Sequence, residues 1–201
     1  MKKSLCMATA LVLLLCAVFT GCSSSSSENL TPADVLAKSY ESMQAASSFH
    51  FTMEHSTAGT PISKNILMTN LSGDIVSPDK LQATITGTYS DMAIEVSLVT
   101  VGEQTYMTNP ISGAWEPAPA AFQVLNVFDP GTGVGAIIKG LADVTDLGNE
   151  KLGKTSCYHL SGNVLSESPA PLTGTTATGV KIATEVWISQ KTLLVQQVKL
   201  N

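Results

Sequence analysis

Few side chains in this chain are equipped for chemistry. There are three histidines, His50, His55 and His159, four cysteines and sixteen carboxylates. His50 and His55 are an odd number of residues apart, which puts them on opposite faces of an extended strand. No His-Glu-x-x-His pair is available to seat zinc, and no Gly-x-Ser-x-Gly elbow to present a nucleophile. Cys157, in Ser156-Cys157-Tyr158-His159-Leu160, reads as a small buried residue of a strand. His159 nearby suggests a Cys/His pair, but the two are expected to point to opposite faces. The glycines of Pro130-Gly131-Thr132-Gly133-Val134-Gly135 have the density of a phosphate loop. No Lys-Ser/Thr pair follows them, however, and no strand feeds directly into them. The residues therefore predict no catalytic site, no metal and no cofactor.

The remaining chemistry is at Cys22. Lys2 and Lys3 give a cationic start, Ala8 to Phe19 is an almost unbroken apolar run, and Thr20-Gly21 precedes the cysteine. That order is a secretory signal. The run is short for a membrane span, which needs about 20 residues. A small residue directly before Cys resembles the lipobox of bacterial lipoproteins, although Phe19 stands where Leu is usual. The resemblance implies that the Cys22 thiol takes a diacylglycerol, that the signal is cut before it, and that the new amino group is acylated. One acyl chain holds a membrane only marginally, whereas two or more hold firmly. Ser23 to Ser27 then suit a flexible tether. The expected organisation is a signal over 1–21, a lipidated Cys and tether over 22–30, and one domain over 31–201, anchored on the extracytoplasmic side of a membrane.

The composition narrows the function classes. Hydrophobic residues make up 44% of the chain and charged residues 13%, against about a quarter charged in ordinary soluble domains. The excess apolar surface needs a membrane, a partner or a pocket. The formal charge is −5; loss of Lys2 and Lys3 leaves nine lysines against sixteen acids, or −7. All eleven basic residues are lysine. Without the planar guanidinium fork that grips phosphates and base edges, an acidic chain predicts no nucleic-acid partner. Cys6 and Cys16 leave with the signal, so Cys157 has no disulfide partner within the domain once Cys22 is acylated.

The elements that position these residues are legible from periodicity. Thr31-Pro32-Ala33-Asp34 is a helix start, and Val35, Leu36, Tyr40 and Met43 form its apolar stripe to about Ala46. From Ser48 the period changes to two, with Phe49, Phe51 and Met53 on one face. A second strand is expected over about Ile62 to Leu71, and a third from Ser72. Leu81, Ala83, Ile85, Gly87 and Tyr89 alternate with polar residues, as do Met92, Ile94, Val96 and Leu98 after a turn at Ser90-Asp91. Gln104 to Thr108 pairs back after Gly102-Glu103. Short turns between successive strands predict an antiparallel meander. Trp115 could line a binding mouth, but it is expected to pack against the sheet. Asp129-Pro130 opens a second helix with Val134, Ile137, Ile138 and Leu141 on its apolar face, weakened by glycines at about 1 kcal/mol each relative to Ala. Leu147 to Val164 reads as a strand pair, 166–179 as a loop, and Ile182 to Leu200 as a closing hairpin. The chain stops at Asn201 in mid-strand, which reads as a fragment end or, alternatively, as an open sheet edge.

Ser72-Gly73-Asp74-Ile75, Trp115, Phe128-Asp129-Pro130-Gly131-Thr132-Gly133-Val134, Gly148-Asn149-Glu150, Gly153, His159-Leu160-Ser161-Gly162-Asn163-Val164 and Val186-Trp187-Ile188 together resemble the LppX/LprAFG lipoprotein family in order and spacing. The resemblance spans about Leu30 to Leu200. It implies an α+β fold, a curved antiparallel half-barrel with helices over its concave face, similar to carriers of the LolA type. Between them an apolar cavity would take acylated lipids or glycolipids for movement across the envelope, with an envelope transport partner. The expected lining is Met68, Ala83, Ile85, Val96 and Leu98 from the sheet, with Val134, Ile137, Ile138 and Leu141 as the lid; the residues alone read equally well as a solid core, and the resemblance implies the cavity. The methionines at 53, 68, 92 and 107 would add adaptable contacts. The alternative is a sensor or protein-interaction lipoprotein on the same fold.

Overall fold

The computed structural model describes residues 30–56, 59–63, 65–119 and 133–201. Cys22, its tether and the Phe128–Thr132 stretch lie outside the described residues. The fold is mostly antiparallel β, with helices α1 (Pro32–Ala45), α2 (Gly133–Gly140) and the single turn α3 (Ala170–Thr173).

Helix α1 starts where its sequence dictates. The Thr31 side chain accepts from the Asp34 backbone N–H, and the Asp34 carboxylate accepts from the Thr31 backbone N–H, a reciprocal capping box. The Thr31 hydroxyl and backbone bonds hold the Asp34 carboxyl below the usual carboxylate range.

The strands are β1 (Ser48–Glu54), β2 (Thr60–Ser63), β3 (Ile66–Val76), β4 (Lys80–Tyr89), β5 (Met92–Val101), β6 (Gln104–Thr108), β7 (Trp115–Pro117), β8 (Ala142–Leu152), β9 (Thr155–Leu165), β10 (Lys181–Ser189) and β11 (Val195–Leu200). They form two hydrogen-bonded sheets. One runs β1-β3-β4-β5-β6-β7 with β2 also on β3, and the other runs β11-β10-β9-β8. The antiparallel meander is as expected, but in place of one strongly curled half-barrel the strands are divided between two sheets among the described residues.

One departure in β3 has a clear cause. The sequence suggests a break at Leu71/Ser72, whereas β3 is continuous from Ile66 to Val76. Met68 pairs with Gly87 and Asn70 with Thr86, so Thr69 is an extra residue opposite β4. This bulge shifts the parity of the strand. Ile66 and Met68 on one side of it, and Leu71 and Ile75 on the other, all become buried. The other flank of β3 changes partner at the same place, from β2 to β1. Gly87 is needed there, since a Cβ would lie 2.0 Å from the Leu67 carbonyl oxygen.

The apolar interior is also in two parts. One cluster is the inner face of the larger sheet, including Met68, Leu71, Leu81, Ala83, Ile85, Val96, Leu98 and Met107. The other joins α1 and α2 to the smaller sheet through Val35, Leu36, Ile137, Ile138, Leu141, Leu160, Val164, Val186 and Ile188. A side-chain tie between the halves is Thr60 on β2. Its Oγ1 lies 3.0 Å from His55 Nε2 and donates to the Leu172 carbonyl oxygen of α3.

Candidate functional site

The residues expected to line a cavity fall into those two clusters. Met68, Ala83, Ile85, Val96 and Leu98 are buried together on β3, β4 and β5. Ile137, Ile138 and Leu141 are buried together against α1 and the smaller sheet. Val134 is half-buried at the start of α2. The residues expected as wall and those expected as lid thus fall in separate buried clusters. Met53 is partly buried and Met107 buried, while Met92 is exposed. An open depression of about 660 Å³ lies elsewhere, between the hairpin tips of the smaller sheet, lined by polar residues such as Lys154, Ser156, Gln190 and Lys191.

The helix pair closes over the smaller sheet. α1 buries Val35, Leu36 and Ser39, and packs chiefly on α2. α2 buries Gly133, Gly135, Ile137 and Ile138. On the solvent side, Lys139 Nζ sits 5.6 Å from the centroid of the Tyr40 ring.

The most ordered polar constellation was not expected from the sequence. His159 Nδ1 is 2.9 Å from Glu150 Oε2, and its Nε2 is 3.0 Å from Glu185 Oε2. Ionised carboxylates only accept, so both bonds form together only when the ring carries both protons. Trp187 stacks on the imidazole at 4.2 Å and donates its indole N–H to the same Glu150 oxygen at 2.8 Å. Glu185 also faces Lys199 and Asn201. The His159 hydrogen bond, with help from Lys199 and Asn201, holds the Glu185 carboxyl below the usual carboxylate range. The cluster ties β8, β9, β10 and β11 together. Among the described residues, no group of three or more His, Cys, Asp or Glu side chains could hold a metal ion.

Cys157 corrects one expectation. It and His159 are two residues apart on β9 and therefore share a face. They do not pair chemically. The buried thiol donates to the Thr155 carbonyl oxygen, and burial raises its pKa above the ordinary thiol range. His50 meets Asp74 at 2.9 Å on the surface, and His55 meets Thr60, so the three histidines are not brought together.

Trp115 also differs from expectation. It is 54% exposed. Asn109 Oδ1 accepts from the Ile111 and Ser112 backbone N–H groups, fixing the β6–β7 turn. The β5–β6–β7 register then places Val99, Val101, Tyr106, Trp115 and Pro117 on the outer face.

The described residues thus form a mostly antiparallel β fold with short helices. The sequence profile of the LppX_LprAFG lipoprotein family matches residues 31–201, and the chain belongs to that family. The fold is similar to the crystal structure of LprF from Mycobacterium bovis, with a TM-score of 0.68 and 13% identity over 85% of this chain and 86% of that one. It is also similar to that of the Mycobacterium tuberculosis lipoprotein LppX, with a TM-score of 0.59 and 19% identity over 85% of this chain and 88% of that one. No curated protein sequence matches the chain. No helix among the described residues is long and apolar enough to cross a membrane.

Proposed function

We propose that this protein is anchored to the membrane through acylated Cys22, on the extracytoplasmic side. Its domain takes up acylated lipids or glycolipids and carries them across or within the cell envelope. The observation that carries this reading is the division of the buried apolar surface into two clusters. One is the inner face of the larger sheet. The other lies under α1 and α2. In this reading the two sheets act as a bent wall, the helices close over it, and acyl tails part the two clusters to form an apolar cavity. Each methylene taken from water contributes about 0.8 kcal/mol, so ten contribute about 8 kcal/mol before association costs. A bilayer offers the same gain. A carrier's lining therefore needs to be as apolar as the membrane and no more adhesive, and Met68, Ala83, Ile85, Val96 and Leu98 meet that requirement.

Mass spectrometry of the domain purified from a heterologous host, with transfer of labelled lipid between vesicles, tests the proposal. Bound acyl lipids and accelerated transfer are expected. An empty protein that takes up no added lipid would sink it.

A second reading, a sensor or protein-interaction lipoprotein on the same fold, is favoured by the outer patch. Val101, Tyr106, Ile111 and Trp115 are 59%, 43%, 77% and 54% exposed. It predicts a protein partner crosslinked through Trp115 in membranes, with no lipid transfer.

A further inference from the structure

Ser39 is the anomalous residue of the helix pair. It shares the buried face of α1 with Val35 and Leu36, which pack with Ile137, Ile138 and Leu141. Ser39 is wholly buried, and its Oγ has no hydrogen-bond partner among the described residues. A helical serine ordinarily satisfies itself by bonding the carbonyl four residues back. Here that bond is not made, and an unmade buried hydrogen bond is a net cost to the folded state. Such an orphan calls for an acceptor that the described residues do not supply.

The setting specifies the acceptor's chemistry. The surroundings are apolar, so an anion at this depth would lack a counter-charge. Lys139 sits at the rim over Tyr40, the residue after Ser39. An uncharged carbonyl fits the depth of Ser39, hydrocarbon fits the cluster beneath it, and a polar headgroup fits the rim. Those three parts occur in that order in an ester-linked lipid.

We propose that Ser39 is a ligand-binding residue whose hydroxyl donates to an ester carbonyl of an acyl lipid whose tails part the two clusters beneath α1 and α2. This rests on the lipid-binding reading above and assigns the polar contact within it. A lipid with the same tails on ether linkages offers no carbonyl and loses that bond.

The test compares uptake of diacyl phosphatidylcholine and its dialkyl ether analogue by wild type, Ser39→Ala and Ser39→Cys. Wild type is expected to favour the ester lipid by about three- to tenfold, the worth of one hydrogen bond. Ser39→Ala should bring that ratio near one and raise the melting temperature of the empty domain, since an orphan hydroxyl is removed. Ser39→Cys, a weaker donor of similar size, should reduce the ratio as well. An ester/ether ratio that is the same in wild type and Ser39→Ala, as expected if a buried water alone serves the hydroxyl, overturns the assignment while lipid binding stands. Failure of wild type to take up either lipid overturns both.

Discussion

Replacing Leu98 by alanine distinguishes a closed core from a lining. Leu98 is fully buried on β5, beside Ile85 and Val96. The substitution removes three carbons, worth about 2.4 kcal/mol at ~0.8 kcal/mol each, and leaves a void that adds to the cost, as in other buried Leu→Ala changes that lose about 2.7–5 kcal/mol. The empty domain should therefore lose about 3–4 kcal/mol. With a urea m-value of about 2 kcal/mol/M, the midpoint falls by about 1.5–2 M. If Leu98 lines a lipid site, a bound acyl tail fills part of the void, and the loss in lipid-loaded protein should shrink to about 1–2 kcal/mol. The assay is urea unfolding of wild type and Leu98→Ala, each delipidated and reloaded, at constant m. Equal losses in both states would place Leu98 in a closed core and refute its role as lining.

Three further expectations concern the frame around the site. Thr31→Ala removes one half of the capping box and should cost about 1 kcal/mol, read as faster amide exchange in the first turn of α1. Acid should destabilise the domain: the carboxyls of Asp34, Asp143 and Glu185 are held below their ordinary values, so their contribution is complete above the unfolded carboxylate range near pH 4 and is lost as pH falls through the lower folded values. Glu185→Gln should flatten the fall of the urea midpoint between pH 6 and pH 2, and an unchanged slope would count against the His159 cluster as its source. Cys157, buried and with a raised pKa, should resist alkylation at pH 7.5 in native protein and react fully in urea; equal labelling in both would show that β9 opens freely.

Much of this fold is written in short-range patterns. The Thr31-Pro32-Ala33-Asp34 cap places the start of α1 because its hydrogen bonds are local. The alternation of Leu81, Ala83 and Ile85 against Gln82 and Thr84 matches the burial of β4. The turn at Ser90-Asp91 uses two residues with positive φ, as two-residue hairpins require. What escaped depends on partners distant in sequence. The division into two sheets, the brief β7, and α3 within a Pro/Thr-rich stretch read as a loop have no periodic signature of their own. The His159 cluster needs Trp187 and His159 to be register partners on β9 and β10, while Glu150 comes from β8, a relation that no local window contains. Trp115 could not be placed without knowing that β7 is an edge strand whose outer side faces solvent. The residues expected to line a cavity are buried as their types suggest, but which of them share a cluster was decided by sheet membership.

The bulge at Thr69 makes chain length, and not only chemistry, a constraint on β3. One half of the strand faces inward on even-numbered positions, and the other half on odd. Deleting that single residue would leave every side chain intact yet send either Ile66 and Met68 or Leu71 and Ile75 out into water, so variation at this point can proceed by exchange of residues but not by their loss.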